Sequence, residues 1–576
     1  MLFLLGAAVA AHGATYYIDF TSGSDTNNGT SVSTPLKHCP GDVNATNVAA
    51  STTLTGGDTA IFKGAVTYIS PSAGITVASG TSSTSRVLYD GNTAGTFGVG
   101  RAVISGPVDG NGNGVNNSVG FNAVSKNYFT VENFEFYRLG SYQNFLSYDC
   151  SSLPPSIVGT GIYLKQVSYA TIQNNYFHEI GEWQNTSPLR GDADVSGYGV
   201  KVDSGNNLSI TGNEFTKMSY GVYLFVYNSS PLNISQVTVS GNNLHNYMRW
   251  PVSGGVNGDG ATFQDVSIYN NAIHDYTEYD TGASNSFCSS VPHTDGIILF
   301  IGGIPYRNST LGTSAHPIRI YANSFYQNAT TGGGTAYIFL TGWGGTTYVY
   351  NNTFVNSHPS GGGEGSLYVQ DGTRASDNNP ALDYHFCNNT FYDGTYEIFL
   401  RSVTSSYELN RTGNVLDIEN NIFYQTDNGG GGITSVVSYD DNHNNVGITS
   451  LPTTLDYNLY YTPNQSGHYA FQTHTTQGIT DYSWSELQQY HSFEAHGGYA
   501  DPKFAALSGL GLNSSSNDLR LQGLSPAISA GANLYSAFTA DAAGNPRPVS
   551  GAWSMGAYQA QQRPNPPLSL TVTSIH

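Results

Sequence analysis

The sequence predicts an all-β solenoid, a stack of short parallel strands wound into about ten to twelve coils. Three observations predict it. A motif of alternating apolar residues, then Asn, then an apolar pair recurs along most of the chain. A second short alternating strand precedes most copies. The composition also favours strands and turns: Gly is 68 and Tyr 41 of 576 residues, while charged residues are only 10%. That profile excludes coiled coils and helical bundles, which need far more Ala, Glu, Lys and Leu. A hydrophobic share of 39% also excludes a long disordered chain.

The first segment, residues 1–14, opens with the apolar run MLFLLGAAVAA and reads as a secretory signal peptide, too short to span a bilayer. No later segment carries 18 uninterrupted apolar residues, so no membrane span is expected. Residues 15–127 read as an N-terminal cap with the first coils. Residues 128–461 hold the repeat. Its copies include YFTVENFEF (128–136), ATIQNNYF (170–177), LSITGNEF (208–215), VTVSGNNL (237–244) and VSIYNNAI (266–273). It continues with IRIYANSF (318–325), YVYNNTF (348–354), YHFCNNTF (384–391) and LDIENNIF (416–423). The preceding strands are GIYLK (161–165), GVKVD (199–203), GVYLF (221–225), GATFQ (260–264), GIILF (296–300), AYIFL (336–340), SLYVQ (366–370) and EIFLR (397–401).

A period of two specifies strands, and such short strands bury a face only by stacking coil on coil. Asn at the turn tolerates the left-handed backbone region, and stacked amides bond from coil to coil. Asn133, Asn174, Asn213, Asn242, Asn270, Asn323, Asn351, Asn388 and Asn420 are therefore expected to form one ladder at one corner. Residues 462–560 read as C-terminal coils and a closing segment. Within it Ser483-x-x-Glu486 is a capping box that opens a short helix. The Pro-rich residues 561–576 read as linker or tail.

Four cysteines, Cys39, Cys150, Cys288 and Cys387, allow three pairings, and no CxxC suggests zinc. Cys387 lies in a strand and is expected as a buried thiol. Lys plus Arg total 20 and Asp plus Glu 40, a net charge of −20, which argues against nucleic acid as a partner. Sequons such as Asn308-Ser309-Thr310 fit a secreted or cell-surface glycoprotein.

On these motifs the chain resembles single-stranded right-handed parallel β-helix proteins of the polysaccharide-active type. YYIDFTSGSDTNNGTSVSTPLKH (16–38) is similar to their opening segment, and DAAGNPRPVSGAWSMGAYQ (541–559) to their closing one. The resemblance covers about residues 15–560. It implies a protein acting on an extracellular polysaccharide. That fold hosts hydrolases, lyases and non-catalytic proteins alike.

Aligning the short strands puts Asp259 and Asp295 in successive coils, with Glu364 two coils further on. Three readings stand side by side: turn residues before Gly, a catalytic carboxylate set, or a Ca²⁺ site at Asp259 and Asp295. HTDGI (293–297) is similar to the NTDGI element of polygalacturonase-type hydrolases, which carries a catalytic role over to Asp295 alone. His293, two residues before it, is a candidate acid or base. Lys201, Arg374 and Arg401 are candidate substrate contacts, since β-elimination needs a base and a cation. Trp250 and Trp343 are candidate sugar-stacking rings. The long segments 277–292 and 301–317 are expected to wall a groove beside Asp295. Hydrolysis stands ahead of β-elimination, with no required cofactor. The competing class is a non-catalytic rod: an adhesin, a glycan binder or a self-associating filament subunit.

Overall fold

The computed structural model describes residues 13–560 apart from 109–116, 141–157, 182–196, 228–232, 248, 276–293, 302–305, 328–334, 356–364, 394–395, 403–408, 410, 426–433, 441–451, 464–467, 476–477, 492 and 508–516. The strands stack in parallel into one 25-stranded sheet and one 13-stranded sheet. The larger sheet bends, so each coil has three faces, named here front, side and back. Gly159–Gln173 and Gly197–Thr211 run through front and side without a break. In later coils the two faces are separate strands, such as Tyr220–Tyr227 (front) and Asn233–Ser240 (side). The back strand of that coil is Asn243–His245. Parallel strands joined by crossovers take the right-handed sense. The chain is a right-handed parallel β-helix.

Alternation places one side of every strand inside. Inward rings stack along the axis, as in Phe136–Phe177–Phe215 at 4.6 and 4.8 Å and in Phe325–Phe354–Phe391 at 5.0 and 4.7 Å. Trp343, expected as an exposed turn residue, is fully buried in this interior, edge-on to Phe263 at 5.3 Å. It takes no part in sugar stacking.

The corner between side and back holds two columns rather than one. Asn133, Asn174, Asn270, Asn351, Asn388 and Asn420 have φ between 54° and 60°, and Gly212, Gly241 and Ala322 fill the same column in other coils. The next residue in each coil carries the amide column: Asn175, Asn213, Asn242, Asn271, Asn323, Asn352, Asn389, Asn421 and Asn458. Each Nδ2 from Asn175 to Asn421 donates to the Oδ1 one coil on at 2.9–3.1 Å. Only Asn213, Asn242 and Asn323 of the expected ladder belong to it. Where two asparagines adjoin, the first makes the turn and the second bonds between coils, and in the lower coils the turn residue Asn420 also donates to Asn388 Oδ1 at 3.1 Å. Glu494 ends the column, accepting from Asn458 Nδ2 and from the Tyr460 hydroxyl, both at 2.7 Å.

Both ends are closed. Thr15–Ile18 caps the first coil against Thr59–Phe62. At the other end Ser483 N donates to Glu486 at 2.9 Å as the helix Trp484–His491 begins. The closing segment lies along the lower back strands, where Val355, Tyr392, Ile422 and Leu459 pack against Phe504, Leu519 and Met555. The buried Arg547 holds it by donating to Asn351 Oδ1 at 2.7 Å and to the Gly556 carbonyl at 3.0 Å. Cys39 and Cys387 are free, buried thiols, and burial pushes both well above the ordinary thiol range. Cys150 and Cys288 lie outside the described residues.

Candidate functional site on the front sheet

The outward side of the front sheet is unusual for a solenoid: it is apolar and aromatic over many coils. Tyr220, Tyr223, Phe225, Trp250, Ile298, Ala336, Phe339, Tyr368 and Phe399 form a buried cluster separate from the interior core. A strand buried on both sides reads as a continuous apolar run, which is what DGIILFI (295–301) is. The register fixes the columns. One runs Tyr198, Tyr220, Trp250, Asp295, Ala336. The next outward column runs Lys201, Tyr223, Ser253, Ile298, Phe339.

Asp295 therefore stands beneath Trp250, not beneath Asp259. The front strand of that coil is Trp250–Asn257, whose Pro, Ser and paired Gly hide its alternation. GATFQ belongs instead to the side strand Thr262–Tyr269. Asp259 sits exposed on the connection between them and accepts the Arg307 backbone N–H at 2.8 Å. A retaining pair or shared Ca²⁺ site at Asp259 and Asp295 needs the two in one column, and the register separates them. Among the described residues no group of three or more His, Cys, Asp or Glu side chains is arranged to hold a metal ion.

Asp295 is 1% exposed. Its Oδ2 accepts the Trp250 indole N–H at 3.1 Å, and its Oδ1 accepts the Ala336 backbone N–H at 3.1 Å. Trp250, itself 7% exposed, carries the Arg249 guanidinium over its ring at 4.1 Å. Arg249 Nη1 donates to the Tyr220 hydroxyl at 2.5 Å. Tyr220 stacks on Tyr198 at 4.8 Å, and Lys201 Nζ lies over Tyr198 at 4.8 Å. Tyr163 donates to Asp203 beside them. One continuous array thus links Asp295, Trp250, Arg249, Tyr220, Tyr198 and Lys201. The array sets an acid, two cations and several phenols along one strip, with Tyr198, Lys201 and Arg249 partly exposed and Asp295, Trp250 and Tyr220 buried.

The other expected residues fall elsewhere. Arg401 ends the front strand Tyr396–Arg401, three coils beyond Asp295. Arg374 lies on the connection toward the side strand Leu382–Cys387, just before the turn Ala375–Asp377. His293, Glu364 and the segment 277–292 lie outside the described residues, as do 302–305 of the second expected wall. Sequence reasoning set Tyr198 and Tyr220 in the column of Asp295 but gave them no role, and it did not single out Arg249 or Tyr223. The signal was present: Tyr198 and Tyr220 each precede the strand Gly that marks the front register.

No protein-family model matches the chain, and no curated protein matches it. Solved structures share its coil architecture at low identity. The complex of XylC with xylose is 13% identical, with a TM-score of 0.45 over 95% of this chain and 99% of that one. The GH136 lacto-N-biosidase from Eubacterium ramulus is 12% identical, with a TM-score of 0.44 over 84% of this chain and 67% of that one. The pectate lyase Pel9A is 12% identical, with a TM-score of 0.40 over 95% and 96%. These are likenesses of fold alone. What the chain itself displays is a parallel β-helix whose acid, cations and phenols share the outer face of its front sheet.

Proposed function

We propose that this chain is a carbohydrate-active protein that holds an extracellular polysaccharide along the front sheet and cleaves it. The observation that carries the reading is the array from Lys201 to Asp295. Sugars are recognised by aromatic rings interleaved with charged and hydroxyl groups, and a regular strip of both suits a linear polymer. The lead of hydrolysis rested on Asp295 paired with Asp259 or with Glu364, and Glu364 lies outside the described residues. Trp250 and Ala336 flank Asp295 instead, so the second carboxylate of a hydrolytic pair is not among its described column neighbours. The residues that do meet, Lys201, Arg249, Tyr198 and Tyr220, favour β-elimination, in which a base removes a proton and cations stabilise the resulting charge.

A second reading, glycan binding without cleavage, is favoured by the depth of Asp295 and its engagement by Trp250 and Ala336.

The test is a polysaccharide panel read for reducing ends and for the absorbance of unsaturated products, on wild type, Lys201→Ala and Asp295→Asn. Both signals indicate elimination, and reducing ends alone indicate hydrolysis. Binding with neither signal supports the second reading. No binding and no products across the panel would overturn both.

A further inference from the structure

We infer a second saccharide-binding site at the corner between front and side, formed by Tyr128 and Tyr169. The two rings stack at 4.7 Å and 9°, and Tyr169 is 37% exposed. Both residues are in the left-handed backbone region, at φ 55° and 57°. A bulky side chain is a genuine outlier there.

The fold does not ask for tyrosine at this place. The register carries the same column through Asn207, Gln236 and Asp265, at φ 54°, 54° and 52°. Asn and Asp tolerate this conformation, and the lower coils close the corner with polar side chains. Tyrosine at 128 and 169 therefore brings backbone strain and exposed ring surface that the corner does not need. Strain of this kind persists at binding and catalytic positions. The corner is also held rigid. Arg86 Nη1 donates to the Tyr169 carbonyl at 2.5 Å and to the Phe129 carbonyl at 3.1 Å, tying two coils together. The coil above crosses at Gly80, whose amide donates to the Tyr128 carbonyl and which brings no side chain to the spot.

The ligand class follows from the surroundings. The patch joins two amphipathic rings to the exposed Val124, Ser125 and Asn127 and the half-buried Lys126, a mixture of apolar, hydroxyl- or amide-bearing surface with one cation. That suits a neutral saccharide unit better than a purely apolar or purely charged partner. Tyr169 and Tyr163 share the strand Gly159–Gln173, six residues apart, so the corner is within about 20 Å of the Lys201 end of the front strip. One polymer chain can touch both, and linked contacts raise overall affinity. The inference rests on the saccharide reading above.

The test is affinity electrophoresis in gels cast with the neutral polymers arabinoxylan, galactomannan or xyloglucan, comparing wild type, Asp295→Asn and the double variant Tyr128→Asn/Tyr169→Asn. The double variant is expected to lose at least tenfold in retardation while its Tm stays equal or rises, because Asn relieves the backbone. Equal retardation overturns the site. A Tm lowered by several degrees overturns it too, since the rings would then serve the fold. Wild type unretarded in every gel overturns the ligand class together with the saccharide reading. Retardation of wild type and Asp295→Asn, lost in the double variant with no polymer cleaved by any form, leaves the corner site standing and removes only the cleavage reading.

Discussion

The indole N–H of Trp250 donates to Asp295 across one coil of the helix, at 3.1 Å. This bond joins the acid of the front strip to its cationic half, because the same indole carries Arg249 on its face. Replacing Asp295 by Asn keeps the shape but turns one of its two accepting oxygens into a donor. If Asp295 takes part in proton transfer, cleavage falls by at least about 100-fold with the fold intact. Trp250→Phe instead removes a donor from a buried carboxylate and is expected to lower stability by about 1–3 kcal/mol. Product assays and thermal denaturation measure the two.

The two corner columns respond differently to substitution. Asn323→Ala removes a buried amide that donates to Asn352 Oδ1 and to the Ile268 carbonyl, and it strands the Asn271 side-chain donor above. The expected loss is about 3 kcal/mol. Asn270→Gly touches an exposed left-handed position and should change stability by less than about 0.5 kcal/mol. Equal losses in thermal denaturation would contradict the division of labour.

His385 makes stability depend on pH. Burial pushes its pKa down, but hydrogen bonds and charges from Asp383 and Asp417 outweigh that and lift it to about 9. The carboxylates lie at 3.2 and 3.0 Å. A raised folded-state pKa means the folded chain holds the proton longer. The contribution is complete below about pH 6.5 and is lost as pH rises through about 9. Wild-type Tm should fall across that window, and His385→Gln should flatten this part of the profile.

Arg547→Ala tests the clasp at the C-terminal end. It removes the donors to Asn351 Oδ1, Gly556 O and, at 3.1 Å, Ser554 O. Hydrogen bonds to a charged group contribute about 1.5–3 kcal/mol each. The closing segment should become sensitive to protease while the coils remain protected. Hydrogen exchange resolved by segment separates this local opening from global unfolding.

Much of the coil architecture was legible because period-two alternation and turn residues act locally. Sequence placed strands at 199–203, 221–225 and 296–300, inside the observed Gly197–Thr211, Tyr220–Tyr227 and Asp295–Ile301, and with them Lys201 and Asp295 on one sheet. It failed where local pattern and register part company. WPVSGGVN lacks alternation, yet it pairs with Tyr220–Tyr227 on one side and Asp295–Ile301 on the other. Without that strand the alignment slipped to Asp259. Trp343 was misread because a Gly-flanked turn sequence says nothing of whether its indole points into the core. Adjoining asparagines were ambiguous for a related reason. Backbone dihedral and side-chain partner, not residue type, separate Asn270 from Asn271.

The amide column has a sense of travel. Every rung hands its proton donor to the next coil, and Glu494 receives the last one. A carboxyl group has lone pairs to offer and no N–H to pass on, even though burial pushes the pKa of Glu494 up to about 8. Another molecule abutting this end would meet a chain already terminated. The hydrogen-bonded spine that makes the rod so regular is thus finished at Glu494, within a single polypeptide.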